Sequence, residues 1–198
     1  MASYKRRAAG FSLVEVLVSI VILSLGLLGA MGMLMTSVRS TSESGSFTAA
    51  VSLARELSEK ARINKNVAAR NPAVFSSATN PYLVELKGTD ADPVAPKGCV
   101  GLTGDCGPSD IAAWDIHDWT IRVRETLPEA HVVVCFDDVM VGADDNYAWN
   151  CEGEGRTLVV KMGWIPRMGS EKEMQDDRPP RVVMQLVPGH DYDASEAI

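Results

Sequence analysis

The sequence predicts an α+β protein in which a long N-terminal helix spans a membrane and helix covers one face of an antiparallel sheet. Two observations predict this fold. Residues 16–35 carry no charge, and at ~1.5 Å per residue this run is long enough to cross a ~30 Å hydrocarbon layer as a helix. Three strand-like segments follow a second helical segment late in the chain. With 198 residues, the chain has room for the membrane segment and one ordinary domain.

The apolar helix is expected to continue beyond Met35 as an amphipathic helix that ends near Asn64. Its apolar residues recur at steps of three and four: Phe47, Val51, Ala54, Leu57 and Ala61. Gly26, Gly29 and Gly32 lie in the apolar half at three-residue spacing, where small residues allow membrane helices to approach closely. The first half is therefore expected to pack against other helices and the second half against a globular domain.

The globular part is predicted to contain one more helix and four strands. Residues 66–106 are rich in Pro, Gly, Asn and Asp, which indicates a connector with one short strand at 82–86. A helix is expected from 108–110 to Pro128. Its apolar stripe is Ala112, Ile116, Trp119, Val123 and Leu127. Strands follow at 131–136, 157–165 and 181–187, with an exposed loop at 167–180.

Alternation in the middle of these late strands predicts that one of its faces is buried. The apolar set is Leu158, Val160, Met162 and Trp164, and the set between them is Thr157, Val159, Lys161 and Gly163. Strands that follow helices and are joined by loops favour an antiparallel sheet with helix on one face.

The charge distribution predicts the orientation in the membrane. The net charge is −7, but Lys5, Arg6 and Arg7 give the first ten residues +3 and leave −10 from Phe11 onward. Basic residues beside a membrane helix remain in the cytoplasm, so the acidic body is expected to be exported. An acidic body also argues against nucleic-acid binding, which depends on Lys and Arg.

All four cysteines follow the membrane segment, and an even count in an oxidising compartment predicts two disulfides. Four cysteines allow three connectivities. Pairing Cys99 with Cys106 and Cys135 with Cys151 is favoured because each bridge closes a short local loop. The alternative is four free, buried thiols.

Three interpretations of the N-terminus are open. A cleaved secretory signal could be cut near Gly26, Gly29, Ala30 or Gly32, and an uncleaved signal anchor would remain intact. Cleavage before the apolar run, between Gly10 and Phe11, explains more residues. The string GFSLVE at 10–15, after a short basic leader, resembles the processing site of type IV prepilins and of the related secretion pseudopilins.

This resemblance implies roles for three residues. A membrane-embedded prepilin peptidase would cut after Gly10 and methylate the new amine of Phe11. Glu15, a carboxylate at the edge of an apolar run, would pair with the terminal amine of its own or a neighbouring subunit and so set the register of assembly. The resemblance also implies a pilin fold, in which the second half of the long helix packs on the sheet.

The segments "CVGLTGDCGPSDIAAWDIHDWTIRVRETLP" and "LVVKMGWIP" are similar to those of the PilV type of minor pilin, or type IV pilus modification protein. The expected division is leader 1–10, membrane and filament-core helix 11–35, amphipathic helix 36–64, and a periplasmic domain 65–198. The implied function is to prime or cap pilus assembly at the inner membrane and pilus tip, supporting pilus biogenesis, twitching motility and adhesion. Expected partners are prepilin peptidase, other minor and major pilins, the inner-membrane assembly platform and a tip adhesin.

Two other functions are alternatives. A minor pseudopilin of a type II secretion system would share every N-terminal feature and differ only in its exported domain. A membrane-anchored binding domain would not polymerise, and an unprocessed N-terminus would favour it. Major pilins typically carry a proline in the apolar helix, and this chain has none there, which argues against the main structural subunit.

The sequence predicts neither catalysis nor a cofactor. It has no phosphate-binding glycine loop, no HExxH and no paired CxxC motif, and His117, His131 and His190 are scattered. One acidic cluster has the oxygen atoms that calcium prefers, but its spacing does not match a calcium loop, so no metal is predicted. The cluster is Asp137, Asp138, Asp144, Asp145 and Asn146.

Overall fold

The computed structural model describes residues 10–69, 80–88, 90–96, 99, 105–138, 141–142, 146–151, 157–166 and 178–186. Among these residues, the elements in chain order are α1 (Leu13–Ile63), α2 (Lys65–Ala68), β1 (Val84–Leu86), α3 (Pro108–Thr126), β2 (His131–Phe136), β3 (Leu158–Gly163) and β4 (Val182–Leu186). The chain divides into one compact unit up to Ser42 and a second from Glu43 onward.

In the first unit, α1 leaves its large apolar side chains uncovered. From Leu13 to Val38 these side chains are between 49% and 78% exposed. Hydroxyl groups in this stretch bond to the backbone one turn earlier: Ser19 donates to the Glu15 carbonyl at 2.7 Å and Ser24 to the Ile20 carbonyl at 2.8 Å. These bonds satisfy the hydroxyls inside the helix, as an apolar environment requires.

In the second unit, the four strands form one antiparallel sheet in the order β1-β2-β3-β4. Val134 lies opposite Val84 on one side and Val160 on the other, and Val160 lies opposite Met184. Side chains on this face of the sheet join those of α1 and α3 in a single apolar core. Its members on α1 and α3 are Ala50, Leu53, Ala54, Leu57, Ala61, Ala112, Ile116, Trp119 and Val123.

Polar contacts join α1 to α3 at the edge of this core. The buried Trp119 donates its Nε1 hydrogen to the Leu53 carbonyl at 2.8 Å. The Nζ of Lys60 lies 2.8 Å from Asp115 Oδ1, and Arg122 contacts Glu56. Glu56 and Lys60 are four residues apart on α1, and each pairs with a residue of α3.

On the opposite face of the sheet, which we call the back face, the side chains of the central strand β3 are also buried. Val159 and Lys161 on β3 are both 0% exposed. Residues 146–151, which we call the strap, contact this face. The expectation that β3 buries one face was therefore incomplete, because the strap covers the second face as well.

The predicted elements otherwise agree with the structure to within one or two residues. The long helix ends at Ile63, and the strand at 131–136 has the predicted bounds. All five residues of the predicted stripe on α3 are buried. Most of the predicted loop at 167–180 lies outside the described residues.

Candidate functional site

The candidate site is the start of α1, where Gly10 and Phe11 precede the first helical residue. Phe11 is 85% exposed. A Cβ atom placed on Gly10 would meet nothing within 4 Å, and the backbone there does not have a positive φ. Because neither space nor backbone conformation requires glycine at position 10, the fold gives no reason for it. Recognition by another molecule would give one.

Glu15 lies in the first turn of α1. The carbonyl of Ser12 accepts hydrogen bonds from the backbone N–H groups of Glu15, at 3.0 Å, and Val16, at 3.2 Å, and so begins the helix. A carboxylate in the first turn is favoured by the helix dipole. Within the part of the chain that the structure describes, the Glu15 carboxylate has no ion-pair partner.

Beyond Glu15, α1 contains a segment long and apolar enough to cross a membrane, judged by length and composition. Soluble monomers rarely expose an apolar surface of this extent. Gly26, Gly29 and Gly32 likewise have open space where a side chain would stand. Each glycine costs the helix up to ~1 kcal/mol relative to alanine, and nothing within the described unit compensates for that cost. Such a surface is suited to lipid or to other helices.

The basic leader residues Lys5, Arg6 and Arg7 lie outside the described residues. So do Asp144, Asp145 and His190.

The described part of the acidic cluster is engaged within the fold. Asp137 binds the ammonium of Lys161 at 2.5 Å, and Asp138 Oδ1 accepts the backbone N–H of Thr157 at 3.1 Å. Among the described residues there is no group of three or more His, Cys, Asp or Glu side chains that could hold a metal ion. Asp137 is thus an ion-pair partner in this fold.

Both disulfides of the favoured pairing are present, Cys99–Cys106 and Cys135–Cys151. The first closes a loop just before α3. The second joins the last part of β2 to the end of the strap. No described cysteine is free.

The buried pair of Lys161 and Asp137 was not anticipated from the sequence. In the predicted alternation of β3, Lys161 lies on the face opposite the apolar one. A lysine on such a face is usually exposed to water. A signal was available in the run Leu158-Val159-Val160, because adjacent apolar residues point to opposite faces of a strand. Such a run is typical of a strand that is covered on both sides.

Two family models match adjacent parts of this chain. Residues 5–31 match the prokaryotic N-terminal methylation motif, and residues 32–117 match the type IV pilin Tt1218. No curated protein and no solved structure matched the chain. The methylation motif implies processing by a prepilin peptidase and assembly with other pilins. The two matches and the long helix on a four-stranded sheet support a type IV pilin, without distinguishing the PilV subtype.

Proposed function

We propose that this chain, whose fold and family matches support a type IV pilin, is a minor subunit that helps to prime or cap the assembly of a pilus. The observation that carries the proposal is the position of Glu15 at the head of an uncovered apolar helix, four residues after Phe11 and with no ion-pair partner among the described residues. Cleavage after Gly10 creates a cationic amine on Phe11. That amine and the carboxylate of Glu15 can then form a charge pair, within one subunit or between neighbours.

The mechanism is one of ordered packing. A carboxylate near hydrocarbon costs several kcal/mol unless it meets a polar partner, so a subunit gains most when its Glu15 reaches the amine of a neighbour. This pairing favours one axial register over others. The apolar side chains from Leu13 to Val38 then exchange lipid for the helices of adjacent subunits, with the three glycines allowing close approach.

Before assembly, the same helix anchors the subunit in the inner membrane. We place its N-terminus in the cytoplasm because of Lys5, Arg6 and Arg7, and its acidic domain in the periplasm. The two disulfides agree with an oxidising compartment on that side. In this role the domain from Glu43 onward selects the neighbouring pilins, and the assembly platform and a tip adhesin are further partners.

Two features favour a minor rather than a major subunit. The first proline in the chain is Pro72, so the apolar helix lacks the proline that major pilins typically carry. The helix α3 contains the AAWDIHDW motif of the minor-pilin resemblance. Its Trp119 packs against α1, which gives this motif a structural role in the domain.

The test is N-terminal mass spectrometry of the protein from membranes and from sheared surface fibres of its native host. We expect a terminus at Phe11 with one added methyl group in both fractions, at low abundance in the fibres. A Gly10→Val variant should keep its leader and be missing from fibres, whereas the control Ala8→Val should be processed. A chain that still begins near Met1, or that is cut after Ala30, would overturn the proposal.

Deletion of the gene distinguishes the pilus from a secretion system. Loss of surface fibres and of twitching motility supports the minor pilin. If fibres persist while the secretion of exoproteins fails, the chain is instead a minor pseudopilin.

A further inference from the structure

The strap is held on the back face of the sheet at two points close to its C-terminal end. At the first point, Trp149 stacks on His131 with ring centroids 3.8 Å apart and donates its Nε1 hydrogen to the Arg178 carbonyl at 2.5 Å. A Cβ on Gly163 would lie 2.9 Å from the Trp149 ring, so only glycine leaves room for this ring. At the second point, two residues later, Cys151 is bonded to Cys135 on β2.

Between these two anchors, the strap closes over a charged side chain. The Nζ of Lys161 lies 2.5 Å from Asp137 Oδ2 and 2.6 Å from the carbonyl oxygen of Asn150. The side chains of Lys161 and Asp137 are both 0% exposed. Asn150 directly precedes Cys151, so the residue that covers the ammonium adjoins the disulfide.

Burial of this ion pair does not by itself favour the closed strap. Removing an ammonium and a carboxylate from water costs free energy that their mutual attraction often fails to recover. If the Asn150 end of the strap moved away, water would replace the Asn150 carbonyl and solvate both charges. Something else must therefore hold this end of the strap closed, and the Cys135–Cys151 bond is the covalent link located there.

The disulfide is accessible from one side. An open groove of about 540 Å³ lies between β1 and the strap. Cys135, Asn150 and Cys151 are among the residues that line it. Both cysteines are only partly buried, so a thiol reagent in the groove can reach the bond without unfolding the core between the sheet and the helices α1 and α3.

We propose that the Cys135–Cys151 bond controls the closure of the strap and thereby the burial of Lys161. In the oxidised protein, the Asn150 end is closed and the ammonium is inaccessible. In the reduced protein, that end opens around Trp149, and Lys161 becomes exposed to solvent. The proposal concerns the second unit alone and does not depend on the role of the chain in a pilus.

The chemistry is thiol–disulfide exchange. In the forward direction, the two thiols lose two electrons and two protons to a disulfide-bearing oxidant, which leaves as a dithiol, and one S–S bond forms in the protein. In the reverse direction, a dithiol reagent transfers the same two electrons and two protons and becomes a cyclic disulfide. In neither direction does the Lys161 ammonium change its covalent structure.

The experiment measures lysine acylation in the full-length protein in detergent micelles, using an amine-reactive ester and peptide mass spectrometry. The readout is the labelling rate of Lys161 divided by that of Lys60, which is packed at the interface of α1 and α3. The test variant is Cys135→Ser with Cys151→Ser, and the control is Cys99→Ser with Cys106→Ser.

We expect the ratio to rise at least tenfold, and up to about 100-fold, in the test variant, as the chain entropy of a loop of this size indicates. The control should match the wild type. The proposal is overturned if the ratio is unchanged, whether because Lys161 stays protected or because both lysines become reactive together through global unfolding.

A reciprocal measurement tests whether burial of the Lys161–Asp137 pair in turn affects the Cys135–Cys151 bond. Lys161→Met with Asp137→Leu removes both charges of this ion pair together, so that neither is left without the other. A dithiol reduces both disulfides, and the readout is the rate for Cys135–Cys151 divided by the rate for Cys99–Cys106. If strap closure links the ion pair to the Cys135–Cys151 bond, this ratio should differ between the variant and the wild type. An identical ratio in the variant and the wild type would contradict the link.

Discussion

Helix α1 is continuous from Leu13 to Ile63, but its apolar side chains are exposed in the first part and largely buried in the second. Between Leu13 and Ser42, which belong to the first unit, the large apolar side chains are exposed. From Glu43 to Ile63, one stripe of the helix is buried against α3 and the sheet, and the opposite stripe carries charge. The apolar side chains of the first part need lipid or other molecules to cover them. Those of the second part are covered by α3 and the sheet of the same chain.

This difference separates two kinds of substitution. Changes in the first part should alter processing, membrane insertion or assembly and leave the stability of the second unit unchanged. Changes in the second part should do the reverse. The following predictions test this separation, beginning with the largest expected effect.

The largest effect is expected from Glu15→Leu. This variant should be processed at Gly10 but should enter fibres at least tenfold less efficiently, because a charge-assisted bond in an apolar environment is lost. Immunoblots of sheared fibres against membrane fractions provide the measurement. Glu59→Leu, on an exposed position of the same helix, is the matched control and should assemble normally. Normal incorporation of Glu15→Leu would show that the carboxylate does not set the register.

Leu57→Ala should destabilise the second unit by about 2–5 kcal/mol, because Leu57 is fully buried in the core and its removal leaves a cavity. Thermal unfolding of the full chain in micelles, followed by circular dichroism, measures the change. Leu27→Ala is the control, since Leu27 is 56% exposed in the first part of the same helix. Equal losses in the two variants would contradict the separation.

Trp119→Phe should cost about 1–2 kcal/mol, because phenylalanine keeps most of the buried ring but cannot donate to the Leu53 carbonyl. Trp114→Phe, at a partly exposed position on the same helix, should cost less. Unfolding midpoints of the two variants provide the comparison. If Trp114→Phe were the more damaging change, the contact between α1 and α3 would not be the one that stabilises this unit.

The smallest effect at neutral pH is expected from Tyr82→Phe. Burial, followed by the adjacent Asp115 carboxylate, raises the pKa of Tyr82 well above its usual value. The hydroxyl therefore stays protonated and bonds to Asp115 at 3.0 Å, linking the connector to α3.

A group whose pKa is raised by folding contributes stability below its unfolded pKa, and that contribution is lost as the pH rises toward the folded value. The wild type should thus lose up to about 1.4 kcal/mol per pH unit above about pH 10 more than Tyr82→Phe does. Urea unfolding in micelles between pH 8 and pH 11 measures the two slopes. Tyr147→Phe, at a residue 47% exposed, should keep the wild-type slope.

Much of this fold could be predicted because local patterns dominate it. The uncharged run at 16–35 requires a helix in an apolar environment, and the stripe from Ala112 to Leu127 requires a helix with one buried face. The strand at 131–136 is bounded by turn residues and matches β2. The candidate site at Gly10, Phe11 and Glu15 could also be named from sequence, because its residues are adjacent in the chain.

The remaining features depend on residues far apart in the chain. Lys60 binds Asp115 and not Glu56, since α3 brings a second carboxylate to the same end of α1. Lys161 is buried because Trp149, Asn150 and Cys151 return over the back face, and no periodicity within β3 specifies that return.

The sequence alone determined which segments are helix or strand, which half of α1 is apolar, and where a processing site can stand. These properties follow from side-chain periodicity and from the order of a few neighbouring residues, which act over short distances along the chain. Only the tertiary structure decided which residues cover the second face of β3 and that one ammonium lies buried beneath the strap. Burial is a property of the space around a side chain, and that space is filled by residues that the local pattern does not contain.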